Sequence, residues 1–141
     1  MTVAPISSTI VALALIPVAF LFCHAFLSGR RKNRFHPISG GVAIIWDLSL
    51  SIGYMMYRTF GGAVDNSILT LTPTLSEYFA VHIATAVVVM SLELAVLAIG
   101  FYQLKVKAPN IWHRKLSKLL FYVWWFAFLS GEIFYLVMYV F

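Results

Sequence analysis

Residues 78–104 read YFAVHIATAVVVMSLELAVLAIGFYQL, an apolar run with one carboxylate, Glu93, and one imidazole, His82, inside it. A helix rises about 1.5 Å per residue and needs roughly 20 residues to cross the hydrocarbon core of a bilayer. This run is long enough to cross. Three more segments qualify, from about Ile6 to Leu27, Ile38 to Tyr57 and Leu116 to Phe141. Backbone polar groups in lipid must be satisfied within the segment, so the four are helices and not strands. The expected fold is all-α, a single domain over residues 1–141 forming a transmembrane four-helix bundle. Pro17 falls inside the first span and is expected to kink it.

Composition agrees. The chain has 141 residues, 62% of them hydrophobic and 11% charged. A soluble domain carries about 45–50% apolar and 25% charged residues, which excludes a water-soluble globule and a disordered chain. The first span lacks a basic leader and an obvious cleavage site, and reads as a retained helix and not as a signal peptide. Cys23 has no partner within the chain, so no intrachain disulfide and no cysteine-based zinc motif can form.

The net charge is +5, and nine of the ten Lys and Arg fall in two short stretches. One holds Arg30, Arg31, Lys32 and Arg34, the other Lys105, Lys107, Arg114, Lys115 and Lys118. Basic loops beside membrane spans account for these charges, and lipid headgroups, not nucleic acid, are their expected partners. The positive-inside rule then puts the first and third loops in the cytoplasm and both termini outside. Phe35, Tyr57, Tyr78 and Trp112 stand near span ends as interfacial anchors. The second loop, Arg58 to Glu77, is long, and Gly61-Gly62, Asp65-Asn66 and Pro73 read as its turn residues. The expected location is the plasma membrane, as a multi-pass protein.

Ionisable side chains at membrane depth are costly, and function is their default explanation. Asp47, Glu93 and Glu132 are three such carboxylates. Asp47 and Arg58 are 11 residues apart on one face of the second helix, as are His82 and Glu93 on the third. Eleven residues is about three turns, or roughly 16 Å. If these antiparallel faces meet, Arg58 lies beside His82 near the outer surface and Asp47 beside Glu93 deeper down. Ser51 and Tyr54 would fill one seam, Ala86 and Val89 the other. Two carboxylates so placed in low dielectric do not both ionise easily, and one is expected to hold a proton. The pair then reads as a proton relay, a metal site (with His82 and Glu93 as ligands), a docking point for a quinone or haem propionate, or plain interhelical hydrogen bonding. Glu132 follows Ser130-Gly131, where a neighbouring helix can approach, and pairing with a partner subunit or with Arg58 is its structural reading.

His24, His36 and His113 fall at the basic end of their spans and His82 at the other end. Histidine is the commonest haem or metal ligand in a helical bundle. Three imidazoles at one depth allow one haem or copper site there, and His82 is a further candidate because its face carries Glu93. No Ser-His-Asp spacing or phosphate-binding glycine loop is recognisable, so intrinsic catalysis is not expected.

The last helix carries Trp112-His113-Arg114-Lys115-Leu116, Trp124, Ser130-Gly131, Tyr135 and Met138-Tyr139. The third offers Val81-His82-Ile83, and the second His36, Gly53-Tyr54, Tyr57-Arg58 and Gly61-Gly62. Over about residues 30–141 this pattern resembles the CtaM-like (YozB-like) family, small four-span membrane proteins linked to cytochrome c oxidase biogenesis. Two positions depart from it: Arg58 stands where the family often has His after Tyr, and Pro37 follows His36 in place of a basic residue. The resemblance implies an accessory or assembly protein of a haem-copper oxidase, handling haem b or copper. A permanent subunit of another membrane complex, a quinone-linked b-type cytochrome and a small proton transporter are the other readings. Aromatic content of 16% suits packing against other membrane subunits.

Overall fold

The structure is a computed structural model that describes residues 4–61 and 72–140. It is all-helical over these residues. The elements are α1 (Ile6–Arg30), α2 (His36–Thr59), α3 (Pro73–Val106) and α4 (Ile111–Tyr139). All four are long and apolar enough to cross a membrane, the architecture of a multi-pass membrane protein. The expected turn at Gly62, Asp65 and Asn66 lies outside the described residues.

Each helix runs beyond its apolar segment. Thr72 caps α3, its side chain accepting from the Leu75 N–H at 3.3 Å, so Pro73 is the first helical residue and not a loop turn. Proline suits that position because its missing N–H would have no intrahelical partner there. Asn110 caps α4 in the same way, accepting from the Trp112 N–H at 2.8 Å, which starts the helix before the expected Leu116. α3 ends at Lys107 in the left-handed conformation, φ 53°. The α1–α2 link turns at Lys32, φ 52°, and is tied by Asn33 N–H to Ser28 O at 2.9 Å. α1 continues as one helix through Pro17.

The helices pack in a ring. α1 lies mainly against α2, α3 mainly against α4, α1 also meets α4, and α2–α3 is the loosest seam. α2 and α4 therefore face each other diagonally. Ser8 Oγ bonds Tyr54 Oη at 3.0 Å and Thr9 Oγ1 bonds Tyr135 Oη at 2.8 Å, so the start of α1 joins the ends of α2 and α4. At the middle, Trp124 is 2% exposed and stacks between Phe22, 4.5 Å between ring centres, and Phe128, 5.1 Å. Val18, Ala43, Leu48, Val89 and Leu120 close around it. Large apolar side chains such as Ile10, Phe20, Ile45, Phe101 and Phe126 point outward on every side, as a surface in contact with lipid requires.

Candidate functional site

The inward polar groups sit at three depths. At the basic end, His36 opens α2 and His113 lies in the first turn of α4, and their ring centres are 6.0 Å apart. His36 rests on Gly29 of α1: a Cβ there would lie 2.8 Å from its Nδ1. That ring nitrogen is 2.8 Å from the Ala25 carbonyl, one turn back from Gly29. A carbonyl only accepts, so in the neutral ring Nδ1–H donates and Nε2 keeps its lone pair. His113 repeats the arrangement on α3. A Cβ on Gly100 would lie 3.2 Å from its Cε1, and the Val96 carbonyl, again one turn back, is its backbone partner in reach. Its buried Nδ1 makes no hydrogen bond of ordinary geometry, and neither does Ser117 Oγ one turn further along the same helix.

In the middle, the Asp47 carboxyl faces Glu93 and the Trp124 side chain, which is its donor. Glu93 is fully buried, and among the described residues the Asp47 carboxyl is its one polar partner. Asp47 is the charged group that acts on Glu93, and no cation acts with it.

At the other end, His82 lies on Gly131 of α4, where a Cβ would stand 2.9 Å from its Cε1. Its Nδ1 meets Ser130 Oγ at 2.9 Å, and that hydroxyl donates to the Ala127 carbonyl at 2.9 Å. The Tyr78 hydroxyl donates to the Ser130 carbonyl at 2.7 Å. Three histidines thus use one device: a neighbouring helix lacks a Cβ and the ring drops onto its backbone, where the exposed carbonyl a turn earlier orients Nδ1 of His36 directly and of His82 through a hydroxyl.

Asp47 and Glu93 come together across the α2–α3 seam. Arg58 and His82 are placed apart in their contacts. α3 turns its N-terminal half toward α4, so His82 meets Ser130, while Arg58 is exposed and acts on Tyr139. His82 and Glu93 share a helix face but stand about 16 Å apart along it, and each serves its own neighbourhood. His24 is exposed on α1, away from the histidine pair. Glu132 is half-buried. Among the described residues no group of three or more His, Cys, Asp or Glu side chains could hold a metal ion.

The glycines were the partners hidden in the sequence, along with Trp124 as donor to Asp47. One signal does reveal the pairing. The same 11-residue step that links Asp47 to Arg58 runs back to His36, and on α4 it runs His113, Trp124, Tyr135. The first two members of each line meet across the bundle, His36 with His113 and Asp47 with Trp124.

The glycine contacts give a graded expectation. Gly131→Ala should cost about 1–3 kcal/mol, because the new methyl displaces a ring held by two hydrogen-bonded neighbours. Gly41, which has nothing within 4 Å of an added Cβ, should gain about 0.5–1 kcal/mol on the same change, from helix propensity alone. Unfolding temperatures in detergent would check the order, and equal effects at both positions would refute it.

Comparison with known protein families, with characterised proteins and with solved structures finds no match to this chain.

Proposed function

We propose that this chain is an accessory or assembly subunit of a respiratory membrane complex of the haem-copper oxidase type, working in the plasma membrane and holding haem or copper without turning over a substrate of its own. One observation carries the reading. His36 and His113, from diagonally opposed helices, turn inward at one depth with ring centres 6.0 Å apart. Metal-ligating histidines characteristically give their other ring N–H to a carbonyl or carboxylate, as His36 Nδ1 does to Ala25. The similarity of the His113-to-Tyr139 stretch to the CtaM-like pattern supports the choice of complex.

Cells lacking the chain test this. Their membranes should lose the reduced oxidase spectrum and regain it with the wild-type chain, but not with His36→Ala and His113→Ala together. His24→Ala should restore it, because His24 is exposed and takes no part in the histidine pair. An unchanged oxidase spectrum without the chain would sink the reading.

A second reading, a permanent structural subunit, is favoured by Glu132, a half-buried carboxyl within the outer half of α4 with no hydrogen bond among the described residues. A carboxyl at that depth is costly unless a neighbour pairs with it. If a partner subunit does so, Glu132→Ala should abolish co-purification of the complex and leave the isolated chain folded. Retention of the partners would remove this reading.

A further inference from the structure

We propose that His36 and His113 bind one bare, monovalent, soft metal ion, Cu(I), in a two-coordinate line between their imidazoles. This rests on the function proposed above and narrows its ligand from haem or copper to the ion alone.

The separation fits. Metal–imidazole bonds of about 2.0–2.1 Å set the ring centres of a nitrogen–metal–nitrogen line about 6.3 Å apart. The observed distance is 6.0 Å, with the ring planes at 71°. That angle is no obstacle, since each ring can turn about its own bond to the metal. The orientation of His36 also fits. Its Nδ1–H is taken up by the Ala25 carbonyl at 2.8 Å, which leaves Nε2 as the ligating atom. His113 is set in the same way, its ring over Gly100 of α3 with the Val96 carbonyl one turn back in reach.

The donor set selects the ion. Zinc sites want four ligands, and magnesium or calcium wants oxygen. Two imidazoles, with no third His, Cys, Asp or Glu to complete a set among the described residues, suit a filled-shell ion content with two ligands. The surroundings select for low charge. Arg30, Arg31, Arg34, Arg114 and Lys115 ring this end of the bundle, and a divalent ion would meet about twice the repulsion of a monovalent one. A haem has the same ligand spacing but a far wider body. Beside the rings Ala25 and Val96, whose carbonyls they face, are each less than a tenth exposed. His36 is already pressed onto the α1 backbone at Gly29. A macrocycle would have to push these helices apart.

The test is an anaerobic titration of the full chain in detergent with Cu(I), delivered as its bicinchoninate complex, with Ag(I) as a redox-inert check. The expected result is one ion per chain. Affinity should fall about 100-fold or more in His36→Gln and His113→Gln and stay unchanged in His24→Gln and His82→Gln. Gly29→Ala keeps both ligands but displaces the His36 ring, and should cost about 10-fold. X-ray absorption on the wild-type copper form needs no variant, and should show two nitrogen neighbours in a line. Sulfur neighbours would put the ion elsewhere, such as the recess lined by Met55, Met56 and Met90, and would overturn the proposal. So would a titration without binding, or one indifferent to the His36 and His113 changes. A reduced haem α-band with one iron per chain, lost in those two variants, would overturn the bare ion and leave the oxidase reading standing. That reading fails only if the oxidase spectrum survives deletion of the chain.

Discussion

Trp124→Ala should lower the stability of the folded bundle by about 3 kcal/mol, the low end of the range for deleting a buried tryptophan. The low end is chosen because in lipid the removed side chain has no water to avoid, so the loss is one of packing and hydrogen bonding. That loss is still large. Trp124 is 2% exposed, stacks on Phe22 and Phe128, meets Trp125 edge-on at 5.6 Å, and donates to Asp47. It is the α4 residue through which the two diagonal helices touch at mid-depth. Phenylalanine at 124 would keep most of the stacking and lose the donor, which separates the two contributions. Unfolding by a denaturing detergent, followed by far-UV circular dichroism, would measure both. A loss below about 1 kcal/mol for the alanine variant, the size of a surface change, would show that the aromatic stack does not hold the bundle.

The same residue shows what the sequence made legible. Four spans could be read because hydropathy over some twenty residues is a sum, insensitive to any single position. Helix ends were misplaced by several residues at α3 and α4, where Thr72 and Asn110 caps lie outside the apolar stretch and carry no hydropathy signal. Asp47 and Glu93 could be found because charge at that depth is rare, and helical phase put them on matching faces. Phase could not say which helix would meet the N-terminal half of α3. That was decided by Gly131, whose missing Cβ lets His82 settle on α4 in preference to meeting Arg58. A glycine in a membrane helix looks the same in the sequence whether a ring rests on it, as at Gly29 and Gly100, or nothing does, as at Gly41 and Gly53.

Changing either member of the carboxyl pair should have effects of opposite sign. Glu93 is fully buried, and the Asp47 carboxyl is its one polar partner among the described residues. One contact to Asp47 leaves most of the carboxyl's hydrogen-bonding capacity unmet, at about 1–3 kcal/mol, and among the described residues no cation acts on it. Glu93→Met, close in volume, removes this penalty and should stabilise the bundle by about 1–3 kcal/mol, as apolar replacement of buried charged groups often does. Glu93→Gln should change stability little, because its amide can donate to Asp47 in place of the carboxyl. Asp47→Leu should do the reverse. It takes the acceptor from Trp124 and leaves Glu93 alone, at a cost of about 1–3 kcal/mol. Asp47→Asn keeps an acceptor for Trp124 and should fold as the wild type does. If Glu93→Met instead weakens the bundle, the carboxyl is structural. If Glu93→Met strengthens the bundle but the variant fails to restore the oxidase spectrum, the fold has been carrying an unfavourable group for the sake of its work. The stability and complementation measurements must therefore be made on the same variant, since neither alone distinguishes a tolerated defect from a functional carboxyl.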